Sequence, residues 1–363
     1  MRGEVDPQSS MFHYFSVESR IPADHPLRRV KELAESALSA ISAELDGLYA
    51  RTGRPSIPPE RLLKAQLLIA FYSVRSDRLF CEQLDYNLLF RWFLDLDLES
   101  GGLDQSNFSR LRERLVETDI ARRFFDEVVR LARKDKLLSS DHFTVDGTLI
   151  DAWASFKSFK RKDDDEPPKP GDGTGMVDFK GEKRSNATHQ STTDPDAKLM
   201  RKGNGQPAKL SYGGHALMEN RSGLCVDLLI TDATLAEHQA ARQLLTRARR
   251  RKIHPKTLGA DKGYHVKDFV QHLREHKIKP RIARIDGRKT PGLDGRTTCT
   301  EGYKVSQRKW KRIEEIFGWL KTVGGMRKTR FIGQAKTQIA AYLSAAAYNL
   351  LRIAKLQSAG SVA

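Results

Sequence analysis

Cysteine is scarce. Only Cys81, Cys225 and Cys299 occur in 363 residues. They are far apart and odd in number, which argues against a disulfide scaffold and a thiolate zinc site and suits a reducing compartment. Long apolar runs are lacking too. The longest uncharged apolar stretch, Ile339 to Leu351, is too short for a bilayer, which takes about 20 residues. The opening Met1-Arg-Gly-Glu-Val-Asp6 runs into no apolar segment, so no secretory leader is expected. No Walker A loop is present, and no nucleotide cofactor is expected. Acidic charge falls well short of basic charge: 46 Asp and Glu face 63 Lys and Arg, a formal net charge of +17. With 39% hydrophobic residues the chain can still build a core. These features predict a cytoplasmic protein, nucleoid-associated, with a polyanionic partner, nucleic acid first.

After a tail over 1–25, residues 26–138 read as a helical domain. Pro26 and Pro59 open helices, and Leu62, Leu63, Leu67, Leu68 and Phe71 supply an apolar stripe. Asp104 to Leu115 reads as a capped basic helix after the Gly101-Gly102 turn, compatible with a helix-turn-helix reader or with a plain bundle. Composition changes near 141. Residues 139–357 alternate strand, strand, strand, helix, strand, helix, strand, helix, which predicts an α/β layer with a mixed sheet. Two interruptions are expected: a mobile insertion at about 155–210, poor in aliphatic residues, and a loop at about 286–307. Helices over about 308–322 and 334–355 close the chain.

Three carboxylates stand out. Asp146 and Asp261 each end a predicted strand beside glycine, where open α/β sheets concentrate their chemistry; either alone also reads as a turn residue. Glu314 lies on the helix whose stripe is Ile313, Ile316, Phe317 and Leu320. At about 100° per residue Glu314 falls on the shoulder of that stripe, whereas Glu315 points to solvent. Lys321 stands two turns above Glu314. An all-oxygen site of this kind suits Mg2+ or Mn2+, two ions in the phosphoryl-transfer version. His272-Leu-Arg-Glu275-His276 matches a zinc-protease pattern, but with no further ligand nearby it reads as a solvated helix flank. Asp151 and the Asp163–Glu166 run are read as structural and solvated, respectively.

The segments Val145-Asp146-Gly147-Thr148, Leu258-Gly-Ala-Asp261-Lys-Gly-Tyr264, Arg312-Ile-Glu314-Glu-Ile-Phe317-Gly-Trp-Leu-Lys321 and Gly324-Gly-Met-Arg327-Lys-Thr-Arg330 resemble DDE transposases of the insertion sequence 5 family. The resemblance covers most of 141–353. It implies an RNase H-like catalytic domain after an all-α N-terminal domain, with Asp146, Asp261 and Glu314 as the catalytic, metal-binding triad. The implied activity is cleavage and strand transfer of DNA at an element's terminal repeats, by a homodimer or larger assembly on double-stranded DNA. Related families carry Tyr and Arg seven and four residues before the Glu; here Gln307 and Trp310 stand there, while Lys321 keeps its place. Lys321, Arg308, Lys311, Arg312, Arg327, Lys328 and Arg330 are the expected phosphate contacts, and Arg247 to Lys252 forms a second basic run. The rivals are an RNase H-like nuclease without strand transfer and a catalytically silent DNA-binding descendant.

Overall fold

The computed structural model describes residues 16–47, 52, 56–116, 118–162, 184–203 and 205–360. Eight helices come first: α1 (Val17–Arg20), α2 (Pro26–Ala40), α3 (Ser42–Asp46), α4 (Pro59–Phe71), α5 (Asp77–Tyr86), α6 (Leu88–Phe93), α7 (Gln105–Val116) and α8 (Ile120–Lys134). Local chemistry fixes several starts. Pro26 and Pro59 occupy first turns, and Ser76 and Asn87 accept from the amides of Leu79 and Phe90. Asp104 likewise accepts from the Asn107 amide at 2.7 Å.

The rest of the chain forms β1 (Phe143–Asp151), β2 (Phe159–Arg161), β3 (His189–Ser191), β4 (Lys198–Met200), β5 (Lys209–Glu219), β6 (Leu224–Asp232), α9 (Glu237–Arg250), β7 (Thr257–Ala260), α10 (Lys267–Glu275), β8 (Lys279–Ile282), α11 (Gly295–Thr298), α12 (Glu301–Lys309), α13 (Ile313–Thr322) and α14 (Gln334–Gly360). The sheet runs β6-β5-β1-β7-β8. β6, β5 and β1 are antiparallel; β1, β7 and β8 are parallel. Three antiparallel strands followed by two parallel ones, with the first strand central, is the RNase H-like arrangement.

The expected alternation after 141 is present, with two corrections. The segment at 155–210 folds at both ends. β2 pairs with β3, and β4 adds to β5, while 163–183, with the Asp163–Glu166 run, lies outside the described residues. Polar contacts hold this part: Ser158 to Ser191 at 2.7 Å, Tyr212 to Asp194 at 2.6 Å, and the Phe159 ring stacked on His189. The expected loop at 286–307 contains α11 and most of α12, because Thr300 caps the latter by accepting from the Tyr303 amide.

α14 joins the two halves. It packs on α8, α4 and α2 and also on β6, so one continuous apolar core runs through helices and sheet. β6 is an edge strand, and its free backbone groups are capped by α14 side chains. Asn349 Oδ1 accepts from Cys225 N (2.9 Å) and Asn349 Nδ2 donates to Cys225 O (2.8 Å). Gln338 accepts from Ile230 N (2.7 Å) and donates to Leu228 O (3.0 Å). Amide side chains on one helix face thus replace a neighbouring strand. No helix among the described residues is long and apolar enough to cross a membrane.

Candidate active site

The parallel pairing of β1 with β7 covers only Phe143↔Leu258 and Thr144↔Gly259. Beyond it the strands part. Asp146 and Asp261 each stand two residues past Thr144 and Gly259, so they occupy equivalent positions on either side of the split. Asp261 follows directly on the carboxyl end of β7, where such sheets open a crevice, whereas β1, expected to end at Asp146, runs on to Asp151 against β5. Both side chains are set by backbone amides. Asp146 accepts from Gly147 N (2.8 Å) and Asp261 from Gly263 N (2.9 Å), the latter capping a short 3-10 turn.

Asp146 is the most perturbed acid. Burial first, then the charges of Asp261, Glu237 and Glu314, push its carboxyl up from 3.8 to about 7 against the opposing Gly147 N–H. The same three acids therefore share one electrostatic neighbourhood, and Glu237 in it was invisible to the sequence reading. None of Asp146, Glu237, Asp261 and Glu314 forms an ion pair with a cation among the described residues. Glu315, by contrast, faces Arg312 (3.6 Å) and Arg352 (4.0 Å). Glu314 and Glu315 are both exposed; what separates them is partners, not the shoulder position expected for Glu314.

The site also leaves polar atoms without protein partners. Tyr264 is fully buried, and its hydroxyl has no hydrogen-bond partner. His215 is 3% exposed, and its Nδ1 is likewise unpartnered. Uncompensated carboxylates in a strongly basic chain, beside orphaned polar atoms, are a donor set that suits a hard divalent cation. The triad stands open. Among the described residues only His272, Glu275 and His276 bring three ligand atoms within 4.8 Å of one another. That cluster sits on the last turn of α10, where His276 Nδ1 is tied to the His272 carbonyl at 2.9 Å.

Lys321 Nζ donates to Thr148 Oγ1 at 2.5 Å. Thr148 is two residues from Asp146 on one strand, hence on the same face, so this ammonium lies beside the carboxylate crevice. Lys328 and Arg327 are exposed, and the Lys328 ammonium stands 5.3 Å from the centre of the half-exposed Trp153 ring. Lys311 is exposed, and Arg308 is exposed and 3.5 Å from Glu301. Two of the expected phosphate contacts are occupied otherwise. Arg312 donates to the carbonyls of Asn220 and Arg221 at 2.7 and 2.9 Å. Arg330 pairs with the buried Asp77 at 3.4 Å, beside Arg112 of α7. Ser109 of α7 also donates to Asp77 at 2.9 Å, so this part of the proposed reading helix is committed to the core. Gln307, in the departure position, donates to the Arg281 carbonyl at 2.7 Å.

Comparison with known proteins fits this geometry. Residues 15–114 match a family described as a transposase domain (DUF772), and residues 179–350 match the transposase DDE domain. The second match takes in Asp261 and Glu314 and begins after Asp146. No curated protein matches the chain. Among solved structures, a piggyBac transposase synaptic complex with hairpin DNA is 11% identical, covering 93% of this chain and 76% of that one at a TM-score of 0.43. A Mos1 transposase paired-end complex with left transposon end is 12% identical, covering 76% and 81% at a TM-score of 0.21. Likenesses this loose add nothing to the assignment, which rests on the two family matches, in order along the chain, one over the helical part and one over the sheet. The chain belongs to the DDE transposases, with the architecture of the insertion sequence 5 family, and is a divalent-metal-dependent DNA transposase.

Proposed function

We propose that Asp146, Asp261 and Glu314 hold Mg2+ or Mn2+, two ions in the working state, and that the chain cuts and rejoins double-stranded DNA at the terminal repeats of its element. The observation that carries this reading is the equivalent placement of Asp146 and Asp261 across the strand split, with no cation paired to either. The ions would polarise the phosphate and lower the cost of in-line displacement. The protein's own part is to hold the carboxylates at the split and to place Lys321 over the same strand face, where it neutralises a phosphate oxygen. A dimer or larger assembly is proposed because two ends must be joined. A strand-transfer assay with a precleaved terminal repeat separates this reading from a nuclease. Joined product is expected; cleavage without joining would favour the nuclease, and neither would favour a silent binder.

Metal binding should depend on pH in a defined direction. The Asp146 carboxyl is raised to about 7 without metal, so its proton must leave when an ion binds. Mn2+ affinity is expected to rise about tenfold per pH unit between pH 5 and 7 and to level off above. Without metal the sign for stability is opposite. A folded-state value above the ordinary 3.8 favours folding at low pH, and that contribution is lost as pH rises through 7. Calorimetric Mn2+ titrations at pH 5, 6, 7 and 8 test this; a flat affinity would contradict it.

The DNA path is proposed to run over Lys321, Arg327 and Lys328, with Arg308 and Lys311 at its edge. Changing Lys321 and Arg327 together to Ala should weaken binding to all sequences alike. The slope of log affinity against log salt should fall by about 2, roughly one per phosphate contact. Binding titrations at several salt concentrations measure it; an unchanged slope would place the DNA elsewhere.

A further inference from the structure

Glu237 is the first residue of α9, and nothing about its type or position marks it out. An acid in a first turn ordinarily serves the helix dipole. Its surroundings are unusual. A side chain at Gly147 would put its first carbon 3.0 Å from both Glu237 Oε1 and His215 Nδ1. Those two atoms are therefore at most about 6 Å apart. A side chain at Gly263 would put its first carbon 3.2 Å from Glu237 Oε2 and 3.1 Å from Asp261 Oδ1. The Glu237 carboxylate thus spans the split, one oxygen towards the Asp146–Gly147 stretch of β1 and the other towards Asp261 after β7. Glycine at 147 and 263 leaves it the room.

The hydrogen-bond network fixes what His215 presents. The Thr231 hydroxyl donates to the Asp232 carbonyl (2.9 Å), so its oxygen accepts from His215 Nε2 (3.0 Å). With the hydrogen on Nε2, a neutral ring offers Nδ1 as a bare lone pair. Two acceptors, the Glu237 carboxylate and His215 Nδ1, border one space with no protein donor between them. Asp261 adds a second carboxylate beside Glu237, and the Glu237 charge also reaches Asp146. Acceptors gathered in this way need a cation or a donor water among them.

We propose that Glu237 is a fourth carboxylate of the divalent-metal site, reaching it from the α9 side of the sheet, opposite Glu314. This rests on the reading of Asp146, Asp261 and Glu314 as metal ligands, and the test keeps the two apart. Mn2+ binding to the DNA-free protein is titrated for the parent, Glu237→Gln and Asp146→Asn, and each is melted in EDTA and in excess Mn2+. Glu237→Gln is expected to weaken Mn2+ by at least about tenfold and to melt higher than the parent in EDTA, because it removes one of several like charges. It should also gain less on adding Mn2+. Asp146→Asn should lose most Mn2+ affinity. Unchanged affinity in Glu237→Gln, with affinity lost in Asp146→Asn, would overturn the role of Glu237 and leave the triad standing. Unchanged affinity in both would overturn the triad reading itself. If Glu237→Gln fails to fold, Glu237→Asp replaces it, with the same drop in Mn2+ affinity expected because the shorter side chain withdraws the carboxylate; full affinity would overturn the proposal.

Discussion

Asp146→Asn, Asp261→Asn and Glu314→Gln are each expected to lower DNA cleavage and joining by about a thousandfold or more, some 4 kcal/mol of transition-state stabilisation. DNA affinity should stay within about threefold, because phosphate-binding cations are untouched. Asp151→Asn should keep activity within a few-fold. The Asp151 side chain makes one part-exposed ion pair, with Lys209 at 2.8 Å, worth under about 1 kcal/mol. Its structural part is played by the backbone, whose amide donates to the Arg327 carbonyl and whose carbonyl accepts from the Thr329 amide, at 3.1 and 2.8 Å. Both contacts survive the substitution. Cleavage and gel-binding assays on the four variants check the set. Equal loss in Asp151→Asn would mean that the wrong carboxylate of β1 was assigned to the metal.

The largest stability effect is expected at Asp227. This β6 residue is fully buried, and its carboxylate meets Arg247 of α9 (3.0 Å) and Arg251 (2.7 Å). Arg251 also reaches Asp126 of α8 (2.7 Å), and Arg247 bonds the Tyr342 hydroxyl of α14. One carboxylate thus locks sheet, α8, α9 and α14 together. Asp227→Ala leaves two guanidinium groups without their buried anion and should cost about 3–5 kcal/mol. Denaturant unfolding measures this. The basic run Arg247–Lys252, expected from sequence to help line a DNA groove, is therefore partly inward. Arg247→Ala and Arg251→Ala should act on stability and leave the salt slope of DNA binding unchanged. A full-strength Asp227→Ala protein, with DNA affinity lost in the arginine variants, would restore the groove reading.

The sequence made some of this legible and hid the rest for physical reasons. Asp261 was visible because it ends a short β-rich run beside glycine; Asp146 was picked on the same expectation, but β1 runs on through it to Asp151, and only the end of the β1–β7 pairing sets it apart. The order of elements after 141 is a local property of periodicity. The split between β1 and β7 was not, since register is set by tertiary pairing. Glu237 had no local signal: it differs from any first-turn acid only through Gly147, Gly263 and His215, which fold against it. The β2–β3 ladder was missed because a few hydroxyl and carboxylate contacts and one buried ring, Phe159, hold it in place of an aliphatic stripe. The fates of Arg312 and Arg330 were equally hidden, since charge counts do not say which cations have partners. The side chains of α14 that cap β6 read as polar breaks in an apolar helix until the edge strand is in place.

The most direct test of the metal assignment is a crystal structure of the protein soaked in Mn2+, with anomalous scattering used to place the ions. Density is expected between the carboxylates of Asp146, Asp261 and Glu314, with oxygens at about 2.0–2.2 Å from an ion of this kind. Ions found only at His272, Glu275 and His276, with the crevice between β1 and β7 empty, would contradict it.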